Sequence, residues 1–404
     1  MEHLTARHRW TALFALALGG VAIGLTEFVA MGLLPDIARD LLGGTSAGEV
    51  AHAGWTITAY ALGVVAGAPL IAALTARWRR KRLVLILLVL FAAGTAASAL
   101  APTFGLVLVA RFVAALPHGA YFGAAGLLAA SLMGKGKEAR GYAVVLGGLT
   151  IANLIGVPAM TSLGQNAGWR VSYAVIAGVF VLTLLAVAAS VPEVPAAASG
   201  SARAELRILA RPQVWLVAAT AAIGFAGFFA VNSYIAPVTT EVAGFGAGTV
   251  PWVLVAFGLG MTIGNALGGW FADRDLRRAL LIGFTAVIFA ILFFALFAST
   301  TAGLFVGAFL VGGTSLFLGP ALQARLITVA PGAQLMGAAV NQSAMNVANS
   351  IGAALGGLVI ARGFGYLAPA WTGVILSVAG LLLAAVSFAL DRQGRSVMPL
   401  PRAR

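Results

Sequence analysis

The chain has 404 residues, of which 61% are apolar and only 9% charged, and its mean hydropathy is +0.99. That balance excludes a water-soluble globular protein, because too little polar side chain exists to cover a surface. The net charge of +13 would suggest nucleic acid in a soluble chain; here its placement points to a membrane instead.

Apolar runs long enough to cross roughly 30 Å of hydrocarbon, each needing about 20 residues, recur along the whole chain. They predict twelve spans, at 11–34, 51–74, 83–101, 105–131, 141–164, 171–190, 213–236, 250–272, 279–298, 302–328, 336–360 and 367–390. All are expected to be helices, since lipid offers no partner to unpaired backbone groups and the runs exceed barrel strands. The first run follows Arg7 and Arg9 but is longer than a signal-peptide core, so it reads as span 1. With both termini placed inside, 21 of the 25 Lys and Arg fall on the cytoplasmic side, the asymmetry expected of a multi-pass protein.

Span 1 carries a single acid, Glu27, in the stretch AIGLTEFVAMGLL. It lies about 24 Å along the span at 1.5 Å per residue, in the outer half. Burial in hydrocarbon penalises the ionised form, the property a proton carrier needs. Proton coupling, recognition of a cationic substrate and a purely structural hydrogen bond are all compatible with it. The loop after span 2 holds Arg77, Arg79, Arg80, Lys81 and Arg82, which can serve topology, an anionic lipid patch or a gating latch.

Span 4 contains Arg111, which keeps its proton and requires a carbonyl, carboxylate or water partner unless it snorkels to an interface. Pro117 permits a kink in the same span, and His118 beside it is either a proton-path residue or a packing histidine. Residues 191–212, which hold Pro, Ser, Gly and mixed charge, read as a cytoplasmic linker between an N-terminal six-helix bundle, 1–190, and a C-terminal one with its tail, 213–404. The halves repeat one another. Gly67, Leu70, Arg77, Arg80, Lys81 and Leu83 recur at a shift of 197 as Gly264, Leu267, Arg274, Arg277, Arg278 and Leu280, and ANLIG at 152–156 returns as ANSIG at 348–352.

In span 11, Gln342, Asn346 and Asn349 fall at i, i+4 and i+7, on one helix face. They either line a wet cavity or bind neighbouring helices, and Asn153, Asn232 and Gln323 can add to the same set. No cysteine is present, the four histidines are scattered, and no Walker sequence occurs; no metal, cofactor or ATP is expected. No metal-ligand or nucleophile-base motif accompanies the few acids, so an enzyme is not expected either.

Several of these stretches resemble the signature motifs of the major facilitator superfamily: GAPLIAALTARWRRKR after span 2, its counterpart GNALGGWFADRDLRR, and Arg111. TEFVAMGLLPDIARDL, RFVAALPHGAYFG and GWRVSY resemble, more narrowly, its twelve-helix drug:proton antiporters, in the branch of arabinose-efflux permeases and chloramphenicol-resistance exporters. The sequence departs from the pattern where Ala76 replaces the acid before Arg77, whereas Asp273 is kept before Arg274, and where Val157 separates Gly156 from Pro158.

The resemblance implies an all-α fold of twelve transmembrane helices in two pseudo-symmetric six-helix bundles, with a substrate site at the midplane between them. It implies a proton-coupled exporter of small, neutral or weakly cationic amphipathic molecules, a monomer in the bacterial inner membrane that meets protons and lipids. Glu27, Arg111 and His118 would couple protons, the six amides would bind substrate, and Arg77, Asp273 and Arg274 would gate. Sugar or nucleoside efflux, or import by proton symport, is the alternative.

Overall fold

The structure is a computed structural model that describes residues 5–75, 78–133, 138–193, 207–330 and 334–396. It contains twelve helices of spanning length: α1 (Ala6–Leu42), α2 (Ala47–Ala68), α3 (Arg80–Leu100), α4 (Phe104–Met133), α5 (Ala143–Ala167), α6 (Trp169–Ser190), α7 (Pro212–Ser233), α8 (Ala247–Ala272), α9 (Leu276–Phe297), α10 (Thr301–Val329), α11 (Ala339–Ala361) and α12 (Ala368–Asp391). Each expected span overlaps one of them. α1 runs further than expected, through Pro35, until Gly43 takes a left-handed conformation at φ 85°. Much of the linker expected at 191–212 lies outside the described residues.

Side-chain oxygens of Thr5, Thr103, Asp275 and Thr300 cap the starts of α1, α4, α9 and α10. Ser46 and Glu49 close a capping box at the entry to α2. Because the spans alternate in direction, α1 begins and α12 ends at one end of the bundle, here called the basic end.

The eight tryptophans mark where the bundle meets the bilayer interfaces. Trp10, Trp78, Trp215 and Trp270 lie at the basic end and Trp55, Trp169, Trp252 and Trp371 towards the opposite end; seven of the eight are exposed on the bundle surface, and Trp169 is buried. Aromatic rings with a polar edge collect at such interfaces. Trp252 and Trp270 sit on the same helix, eighteen residues and so about 27 Å apart, close to a hydrocarbon thickness.

The repeat seen in the sequence becomes a repeated contact. α2 lies against α4 as α8 lies against α10, and in each pair glycine lets two backbones touch. A Cβ on Gly67 would overlap the carbonyl oxygen of Leu116, and one on Gly264 that of Gly313; Gly63 against Phe112 and Gly260 against Phe309 repeat the arrangement a turn away. All eight positions are related by the same shift of 197.

One element breaks the symmetry. Residues 152–156 of α5 form a π-helical turn, in which Val157 N–H donates to Ala152 O, five residues back. Pro158, just beyond, lacks an N–H and its ring crowds the carbonyl four residues earlier, so the wider turn absorbs the conflict. The equivalent stretch of α11 has Ala354 where α5 has Pro158, and it remains α-helical. The halves meet along two pseudo-equivalent seams, α5 on α8 and α11 on α2, with α1 and α7 between them.

Candidate functional site

α1 is the most enclosed helix, and Glu27 on it is 6% exposed. Its Oε1 accepts, at 3.5 Å, from Asn349 Nδ2 of α11, in the other half. One residue away, Thr26 meets Arg111, which is fully buried near the start of α4. Arg111 Nη1 donates to the Thr26 carbonyl and to its hydroxyl at 3.2 Å, and Nε donates to Thr56 O of α2 at 3.4 Å. The guanidinium lies 4.3 Å from the Tyr60 ring centre and 5.5 Å from that of Tyr173. Nη2 has no partner among the described residues.

A fixed cation thus sits beside a carboxyl with which it forms no ion pair within the described set. The carbonyls and aromatic faces hold the guanidinium in place independently of Glu27.

His118 begins the second segment of α4, after a break at Leu116 and Pro117 where the expected kink falls. Its Nε2 lies 3.3 Å from the Gln342 amide nitrogen of α11 and its Nδ1 3.2 Å from Tyr60 Oη. With Gln342 donating to Nε2, the neutral ring carries its proton on Nδ1 and donates it to Tyr60. Tyr60 therefore links the histidine to the arginine. On α11, Gln342 and Asn349 both reach the N-terminal half, while Asn346 turns its amide N–H onto Gln342 O. The amide oxygens of Asn346 and Asn349, on one face of α11, and of Asn341, on the side turned to α10, are buried with no donor among the described residues.

The remaining expected residues are spread out. Asn232 donates to Met31 Sδ at 3.0 Å across the halves, and with Asn153 it lines a void of about 10 Å³, roughly room for one water. Asn153 itself donates to Leu149 O of its own helix. Gln323 accepts from Asn341 at 3.3 Å on the α10–α11 contact, nearer the basic end. Arg77 lies outside the described residues. Asp273 is exposed beyond α8 and Arg274 stacks 3.5 Å from the Trp270 ring centre while donating to its carbonyl; neither pairs with the other.

Sequence reasoning missed the cage around Arg111, namely Thr26, Thr56, Tyr60 and Tyr173. It also counted Arg325 only as a basic-end charge. Arg325 is buried in α10, pairs with Asp391 at 2.6 Å and donates to Ser387 Oγ at 2.9 Å, tying α10 to α12, with Gln213 of α7 joining at Asp391.

A sequence profile described as Major Facilitator Superfamily matches residues 16–251 and 235–399. The chain is 38% identical over 386 residues to the inner membrane transport protein YdhP of Escherichia coli (strain K12), covering 95% of this chain and 97% of that one. It is 34% identical over 380 residues to a chloramphenicol resistance protein of Streptomyces lividans, covering 92% and 95%. Among solved structures, that of a D-xylose-proton symporter superposes with a TM-score of 0.75 at 14% identity, over 93% of this chain and 97% of that one, a likeness of fold.

Proposed function

The chain belongs to the major facilitator superfamily of membrane transporters, and from that premise we propose that it exports small, neutral or weakly cationic amphipathic molecules in exchange for protons. The observation that carries the proposal is Glu27, a lone buried acid whose partner, Asn349, belongs to the opposite half. An amide N–H bonds an ionised carboxylate by about 1.5–3 kcal/mol and a neutral partner by about 0.5–1.5. A proton on Glu27 therefore loosens one link between the halves by about 1 kcal/mol, a bias of roughly fivefold on their alternation.

Arg111 supplies the second half of the logic. With its charge fixed, the site is neutral when Glu27 is ionised and carries one positive charge when Glu27 is protonated. A solute with positive or donor character is favoured in the first state and a proton replaces it in the second, which makes exchange in opposite directions the natural cycle. The unused amide acceptors of Asn346 and Asn349 on α11 suit the same donors. His118 extends the path through Tyr60 towards Gln342. The 21 basic residues at the end bearing the termini support a cytoplasmic position for that end. One chain supplies both halves of the seam, so a monomer suffices. Similarity to a chloramphenicol resistance protein supports a chloramphenicol-like solute.

The test is reconstitution in vesicles that enclose a pH-sensitive dye. Chloramphenicol added across an imposed pH gradient should release protons through the native chain. Glu27→Gln should abolish that release while still binding the compound. Equal behaviour of the two proteins would remove Glu27 from coupling; solute that follows the proton gradient in the same direction would replace export by symport.

A further inference from the structure

We propose that a groove between α2 and α11 is a side port through which an amphipathic solute passes between the inter-half seam and the outer bilayer interface. The proposal rests on the export reading and its orientation.

The two seams between the halves are built to the same plan and finished differently. At the α5–α8 seam the π-helical turn pushes Asn153 and Leu154 against Gly258, where an added Cβ would stand 2.7 Å from Asn153 O. A void of about 10 Å³ remains at that contact, near the middle of α8. At the α2–α11 seam the proline is replaced by Ala354, no widened turn forms, and the facing residues are small: Gly48, Ala51, Ala353 and Gly357. A groove of about 330 Å³ remains there, within the range that holds drug-sized molecules.

Its lining is amphipathic. Trp55 and Leu358, both exposed on the bundle surface, form the mouth. Trp55 belongs to the tryptophan belt of that end, so the mouth opens at the interface where amphipaths collect. Two polar residues line the groove, the exposed His52 and Thr58, which is 4% exposed and whose buried hydroxyl has no partner among the described residues. The carbonyl of Thr58 accepts from Ser350 at 3.4 Å, and Ser350 is the neighbour of Asn349, the partner of Glu27. One hydrogen bond thus joins the groove wall at Thr58 to the stretch of α11 that carries Asn349, the partner of the coupling acid. A lipid tail would fill the apolar part and leave His52 unanswered, whereas a flat apolar solute with a hydrogen-bonding group satisfies both.

The absence of cysteine makes the test clean. The single-cysteine variant Ala354→Cys, in lipid vesicles, is treated with apolar N-phenylmaleimide or with a maleimide bearing a quaternary ammonium group. The apolar reagent should react about tenfold faster, and chloramphenicol should slow it severalfold. A second variant, Ala354→Phe, fills the groove and should lower chloramphenicol-driven proton release about tenfold with the protein still monodisperse. Equal rates for the two reagents would show a water-filled cleft and overturn the port. So would protection that comes from added phospholipid in detergent and not from chloramphenicol, which assigns the groove to a lipid tail. Full proton release by Ala354→Phe would also overturn it. If the native chain moves no protons yet Ala354→Cys is protected by chloramphenicol, the export reading fails while the bilayer-facing solute site stands.

Discussion

Arg111 has no freedom to leave its place: two backbone carbonyls, one hydroxyl and two aromatic faces surround a group that cannot lose its charge. A lysine offers a point charge on a flexible stem and cannot answer both Thr26 and Thr56 while lying on Tyr60. Arg111→Lys is expected to fold, and to lower proton-coupled exchange in vesicles by about tenfold or more, the equivalent of one charge-assisted hydrogen bond of about 1.5–3 kcal/mol. Unchanged exchange would mean that the guanidinium only packs. Glu27, Arg111, His118, Gln342 and Asn349 could be singled out from sequence because polar side chains stand out in apolar runs. Their pairing could not, since helices apolar on every side carry no facing signal. Tyr60, Tyr173, Thr26 and Thr56 had no signal at all, because Tyr and Thr in a membrane helix are unremarkable until a cation is seen beside them.

Among the helices, twelve spans follow from hydropathy and length alone, with ends shifted by a few residues. The first span, expected to end at residue 34, continues through Pro35 in α1, and its last turns remain buried at Ile37 and Ala38. The repeat of Gly67 at Gly264 was readable, but its meaning, a backbone crossing too close for any side chain, needed the partner helices. The π-helical turn in α5 was hidden as well: the sequence shows a proline after Gly156, not how the helix accommodates it. Gly258→Ala tests that element. The added methyl would press on Asn153 O, and overpacking of this kind costs about 1–3 kcal/mol. The variant should unfold at a lower temperature in detergent than Gly246→Ala, which meets open space. Equal unfolding temperatures would show that α5 withdraws without cost.

For the bundle as a whole, the charge asymmetry and the tryptophan belts fix the same axis by independent means, one through basic loops and the other through rings exposed on the surface. The belts carry a mechanical corollary. Two tryptophans on one rigid helix set the hydrophobic thickness of the C-terminal half at about 27 Å. On the export reading the halves rock, and a change in the tilt of that helix alters the thickness it presents along the membrane normal, so the two conformations differ in hydrophobic mismatch with the surrounding lipid. Acyl-chain length then acts as an effector without a binding site. In vesicles of phosphatidylcholines of increasing chain length, exchange should be fastest where the hydrocarbon core is close to that thickness and should fall on either side; a rate indifferent to chain length would mean that rocking leaves the belts level.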